Sequence, residues 1–138
     1  MSTVFFTDRD LGKQFPALLR KAGISVERHA DHFPDDAKDE DWIVEVGKRS
    51  WCVVTHDKRI RYKSNELAAV KRAGVAMFVL SGKVPHFVLA QNVIKTIDRI
   101  EAFLVKHKPP FIAKIYLPPT SELIRRPNAA GRVEPWVG

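Results

Sequence analysis

The chain has 138 residues, enough for one domain with a hydrophobic core, and its 45% apolar and 28% charged residues fit a globular protein. No apolar run approaches the roughly 20 residues of a membrane span, and Cys52 as the single cysteine excludes an intramolecular disulfide and a cysteine-rich zinc site. The net charge of +7 is uneven: residues 1–46 hold ten acidic and six Lys/Arg side chains, a net of −4, whereas residues 47–138 hold six and seventeen, a net of +11. An acidic cluster inside a basic chain suits an anionic polymer held by cations and attacked at a metal, against the plainer reading of a solvated basic surface.

The start, "MSTVFFTDRD", reaches acid within eight residues and has neither a basic n-region nor a long h-region, so no secretory signal is expected and the cytoplasm is the expected compartment. "TVFFT", residues 3–7, is an apolar run ending in acid and reads as a buried strand. Leu11, Phe15, Leu18, Leu19 and Ala22 then share a helical face, Gly23 marks its stop, and Pro16 argues for a break or a late start. "ISVERH", 24–29, reads as a second strand, followed by a polar, turn-rich connection. "KDEDWIVEVGKR" predicts a short helix with Trp42, Ile43 and Val46 on its buried side and acids in its first turn.

"WCVVTHD", 51–57, is the clearest strand and again ends in acid. "SNELAAVKRAG", 64–74, predicts a helix with Ser64 as N-cap and Gly74 as stop, and "VAMFVL", 75–80, a buried strand. Residues 85–107 predict the longest helix, with Leu89, Val93, Ile97, Ile100 and Leu104 as its core stripe. "FIAKIYL", 111–117, predicts an edge strand, and the Pro- and Gly-rich residues 118–138 an extended arm beyond a domain of residues 1–117. Strands separated by helices imply one three-layer α/β/α domain around a mostly parallel sheet of about five strands. Sites in such sheets lie beyond the carboxyl ends of the strands, near a switch in strand order.

Asp8 follows the first strand and Asp57 the third, so neighbouring parallel strands bring the two carboxylates to one edge. At about 100° per residue, Trp42, Ile43 and Val46 centre on a direction close to that of Asp39, with Asp41 nearly opposite and Glu40 sideways. Converging carboxylates repel: two unit charges about 4 Å apart cost roughly 4 kcal/mol at an effective dielectric of about 20. Either their pKa values rise or a cation sits between them, and hard oxygen ligands point to Mg²⁺ or Mn²⁺. The bland reading makes Asp8 and Asp10 turn and cap residues and the acids of 35–41 dipole partners.

"FFTDRDL", "KDEDWI" and "CVVTHDKRI", in that order, resemble the PIN-like domains, including the VapC-type toxin ribonucleases, and most of all a short variant with D-x-[ND]-L after strand one, D-x-x-[apolar] opening a helix and T-x-D after the next strand. The resemblance covers about residues 3–82. It implies a metal-dependent ribonuclease in which Asp8, Asp39 and Asp57 are catalytic metal ligands, Asp10 a fourth ligand, Asp41 or Glu40 the fallback within "DED", and Thr55 a site-orienting hydroxyl. It also implies an RNA substrate and a cognate antitoxin as partner if the chain is a toxin; separately, the long helix or the C-terminal arm offers a surface for a homodimer. Position 10 departs from the pattern in being Asp where Asn is frequent. Lys58, Arg59, Arg61 and Lys63, directly after the third acid, are candidates for holding phosphates.

Two rivals use the same residues. "FFTDRDLG" with Ser81 after a later strand resembles a haloacid-dehalogenase-type phosphatase, but leaves Asp39 and Asp57 idle. A non-catalytic module binding nucleic acid or protein through the basic half predicts binding without metal dependence.

Overall fold

The computed structural model describes residues 3–137, apart from the side chains of Arg61, Tyr62 and Val137. Six strands, β1 (Val4–Thr7), β2 (Ser25–Arg28), β3 (Cys52–Thr55), β4 (Ala76–Leu80), β5 (Phe111–Tyr116) and β6 (Arg132–Val137), form one sheet in the order β2-β1-β3-β4-β5-β6. The first five are parallel and β6 runs antiparallel to β5. The helices are α1 (Gln14–Lys21), α2 (His29–His32), α3 (Asp39–Lys48), α4 (Ser64–Ala73), α5 (His86–Lys106) and α6 (Thr120–Arg125).

Strand alternation divides the core between the two faces. Phe5, Cys52, Val54 and Phe78 point to the layer of α1 and α5, where Phe15, Leu19, Leu89, Val93 and Ile100 are buried. Phe6, Val53, Met77 and Val79 point to the layer of α3 and α4, where Trp42, Ile43, Val46, Ala69 and Val70 are buried. Of the stripe expected on α5, Leu89, Val93 and Ile100 are buried and Ile97 and Leu104 partly so. Pro16 lies in the first turn of α1, where a missing N–H breaks no helical bond. Among the described residues no helix is long and apolar enough to cross a membrane.

Four local expectations are revised. Ser64 is the first helical residue of α4, with Lys63 in the cap position and no side-chain cap. A one-turn helix, α2, occupies the start of the polar connection. β5 is an interior strand, paired with β4 on one side and β6 on the other. Residues 118–138 are not simply extended: they form α6 and β6, which raises the strand count to six. The edge position suits β6 because Pro135 has no N–H to give to a further strand, and a register shift between Ile112 and Ala113 takes up its irregularity.

Gly131 introduces this strand where no side chain fits: a Cβ there would stand 1.8 Å from the Tyr116 carbonyl oxygen. Its N–H donates to Thr96 Oγ1 (2.8 Å), its carbonyl accepts from Arg99 (2.8 Å), and Asn92 donates to the Tyr116 carbonyl (3.1 Å). Buried polar groups of α5 are thereby satisfied by the strand pair they cover.

The candidate active site

The chain leaves β1 to build β2 on one side and later builds β3 on the other, so the switch in strand order falls between β1 and β3. Phe5, Phe6 and Thr7 pair with Cys52, Val53 and Val54, and the Asp8 N–H donates to the Val54 carbonyl (3.1 Å). Asp8 and Thr55 therefore emerge side by side at the carboxyl edge. Two short 3-10 turns, Arg9–Leu11 after β1 and Lys58–Tyr62 after β3, are capped by the Asp8 and Asp57 side chains. Capping and site-building thus fall on the same two acids.

Thr55 ties the acids together. Its buried hydroxyl faces Asp8 Oδ2 at 3.0 Å and Asp10 Oδ2 at 3.3 Å as donor, and accepts from the Asp57 N–H at 3.1 Å. Asp10 Oδ2 also accepts from the His56 N–H (3.1 Å). Asp57 Oδ1 accepts from the N–H and Nε of Arg59 (3.0 and 3.1 Å), and its Oδ2 from Lys63 Nζ (3.2 Å). Asp39, at the start of α3, accepts from Trp42 Nε1 (2.9 Å), one turn along the buried face that the periodicity assigns to both. Glu40 and Asp41, the fallback acids, instead line a shallow groove with Asn65, Ala68 and Arg72 on the α3–α4 surface.

Sequence reasoning misses one member of the cluster, Glu66, and gives another, Lys63, a different role. Lys63, read as a phosphate contact, is held among acids: its Nζ is 3.2 Å from Asp57, 3.6 Å from Glu66 and 4.0 Å from Asp39. Glu66 is buried in the first turn of α4, and its Oε2 has no hydrogen-bond donor. A signal for it exists, because Glu66 lies three and four residues before the buried Ala69 and Val70. Lys58 and Arg59 are exposed beside the cluster, and the Arg61 side chain lies outside the described residues.

The electrostatics follow from burial and crowding. Burial, then the Asp10 charge, and more weakly the Asp39 charge, push Asp8 up to about 6 against the bonds from Thr55 and the Arg9 N–H. Desolvation likewise raises Asp10 against donation from His56 and Thr55. Burial and the Asp39 carboxylate beside it push Glu66 up to about 7 against the Lys63 charge. Burial alone would raise Asp57 too, but the Arg59 and Lys63 donors outweigh it and hold it below the usual range. Among the described residues no Lys or Arg makes an ion pair with Asp8 or Asp10. As the side chains stand, no group of three His, Cys, Asp or Glu among the described residues is set to hold one metal ion; Lys63 lies among Asp39, Asp57 and Glu66, and Arg59 pairs with Asp57.

No curated protein matches the sequence. Among solved structures, the chain is similar to the solution NMR structure of a de novo designed Rossmann 2x3 fold protein, with 12% identity, 96% of each chain covered and a TM-score of 0.41. A family model described as a PIN-like domain matches residues 3–82, the span that holds β1 to β4 and every acid of the cluster. The chain belongs to the PIN-like domain family.

Proposed function

We propose that this protein is a metal-dependent ribonuclease whose centre is the acid cluster at the β1–β3 switch point. The observation that carries the reading is the gathering of five acids at one sheet edge: Asp8, Asp10 and Asp57 meet at the Thr55 hydroxyl and its neighbours, and Asp39, Asp57 and Glu66 meet at the Lys63 ammonium. The donor set fits a hard divalent cation: every candidate ligand is a carboxylate, Asp8 and Asp10 lack a counterion among the described residues, and Glu66 Oε2 is buried without a donor. Asp8, Asp39 and Asp57, with Asp10, would hold Mg²⁺ or Mn²⁺, which when bound would polarise a water for attack and neutralise charge on a phosphodiester.

The chain's own residues do the rest. The Thr55 hydroxyl fixes Asp8, Asp10 and Asp57 relative to one another. Trp42 turns Asp39 into the cleft. Lys63 balances the charge of Asp39, Asp57 and Glu66, a place that a bound divalent cation would contest. Lys58 and Arg59 stand exposed at the rim, where they meet phosphates that the acids alone would repel.

The test is cleavage of structured and single-stranded RNA by the purified protein with Mg²⁺ or Mn²⁺. Cleavage stops with chelator and falls at least about 100-fold in Asp8→Asn and in Asp57→Asn, with circular dichroism unchanged. RNA binding survives both changes or tightens as acid–phosphate repulsion falls. A folded protein that cleaves no RNA with either metal sinks the reading. Growth arrest on expression, relieved by Asp8→Asn, marks the chain as the toxin of a pair and calls for an antitoxin partner.

A further inference from the structure

A pocket of about 210 Å³ opens on the β2 side of Asp8, away from Lys63, lined among others by Arg9, Lys13, Arg28 and His29. Its construction centres on Arg9. The Arg9 Nε donates to His29 Nδ1 at 2.8 Å and one terminal nitrogen donates to the Phe33 carbonyl at 2.7 Å. His29 is 3% exposed, ringed by Phe6, Phe33 and Trp42. Burial, then the Arg9 charge, lowers its pKa, so it stays neutral and offers Nδ1 as an acceptor.

Arginines are commonly fixed by carboxylates, which cancel their charge. Arg9 is fixed by two neutral acceptors, so its guanidinium is held in place without an ion pair among the described residues. Lys13 adds a second cation with no ion pair among the described residues, and Arg28 a third, 3.6 Å from Asp31. Asp8 is the single acid in the lining, on the side that faces the cluster.

We infer that this pocket is a phosphate subsite that holds an internal phosphodiester of the bound RNA strand next to the one at the acids. The inference rests on the ribonuclease reading for the identity of the strand. β2 ends at Arg28 and pairs with β1, whereas Lys58 and Arg59 follow β3 on the other flank, so cations stand on both sides of the acids along one sheet edge. A strand laid across that edge meets positive charge, then the acids, then positive charge. Pre-ordering Arg9 removes the rotamer cost of gripping a phosphate at the moment of binding.

The experiment is binding of a labelled single-stranded RNA octamer in chelator, followed by fluorescence anisotropy over a range of salt, for wild type, Lys13→Gln and Arg9→Gln/Lys13→Gln. No cleavage is needed, so the result stands whether or not the protein proves to be a nuclease. The double variant binds about tenfold more weakly, with the salt slope reduced by about 0.7 for each phosphate no longer neutralised. Lys13→Gln, which removes no hydrogen bond seen in the fold, moves affinity and slope the same way. In wild type, adding the octamer shifts the His29 imidazole signals in NMR spectra. If cleavage occurs, KM rises and kcat holds. Unchanged affinity and slope in Lys13→Gln and in the double variant, or His29 signals that RNA leaves still, overturn the subsite and leave the nuclease reading intact.

Discussion

Asp8 and Glu66 are acids whose surroundings favour the protonated form in the folded chain, with pKa values of about 6 and about 7. The sign of the linkage follows: each group's favourable contribution is complete below its unfolded pKa and is lost as pH rises through its folded value. Metal-free protein therefore loses stability from these two groups between about pH 4 and pH 7. His29, with its lowered pKa, works in the opposite sense over part of this range, so the informative quantity is the difference between wild type and Asp8→Asn. In chelator, Asp8→Asn is more stable than wild type by about 1 kcal/mol at pH 7.5, after discounting for partial contact with water, and the gap closes toward pH 4. Excess Mg²⁺ reverses the order at pH 7.5. Parallel thermal melts of the two proteins across this range count against a strained carboxylate at position 8. The same residues show what a sequence can disclose at this scale. Asp39 is legible because its direction follows from helical phase relative to Trp42, Ile43 and Val46. Glu66 answers to the same phase argument on α4, but no strand end or motif draws the eye to it. Lys63 offers no such handle, because it stands in the cap position before α4, where no helical phase orients it, and one of its partners, Asp39, comes from a distant segment.

At the scale of elements, the site depends on how closely α3 approaches α4, since one opens with Asp39 and the other carries Glu66 in its first turn. Gly47 lets the two helices pack closely at their C-terminal ends. A Cβ on it would lie 2.7 Å from Ala73 Cβ and 2.8 Å from the Ala73 carbonyl oxygen, in a backbone region where alanine is otherwise at ease. Gly47→Ala gains about 1 kcal/mol of helix propensity and still destabilises the fold by about 1–3 kcal/mol, because α3 must move off its neighbour. The measurement is a lower denaturation midpoint with an unchanged m-value, together with weaker divalent-cation binding by calorimetry. A stabilised Gly47→Ala protein shows that the helices do not touch there. The apolar stripes of α3, α4 and α5 are legible because each helix buries a single face. α2 is not, because one turn with polar and imidazole side chains presents no periodicity.

For the whole molecule, a mostly parallel sheet follows from alternating strands and helices, and a site beside Asp8 and Asp57 follows once β1 and β3 are neighbours, as the strand order makes them. The far edge of the sheet does not, because Pro and Gly in 118–138 mask a strand that only pairing with β5 creates. A chain ended at Leu117 leaves β5 unpaired along one side and strips Thr96 and Arg99 of their Gly131 partners. Thr96, buried beneath that strand, loses this partner, and the apolar surface that β6 covered meets water. The shortened chain melts lower than the full one and associates through the bared strand, as light scattering reads. A monomeric truncation with an unchanged melting temperature instead makes 118–138 the appended arm that its composition suggests.

Cys52 gives this architecture a built-in clock. It stands at the start of β3, the strand that delivers Thr55 and Asp57, and burial, then the Glu101 charge, pushes its thiol up to about 11. A thiol so seated is slow to alkylate while the sheet is closed and reacts faster when β3 parts from its neighbours. Because the chain has no other sulfhydryl to confuse the signal, the rate of its modification counts how often the strand beneath the acids comes undone.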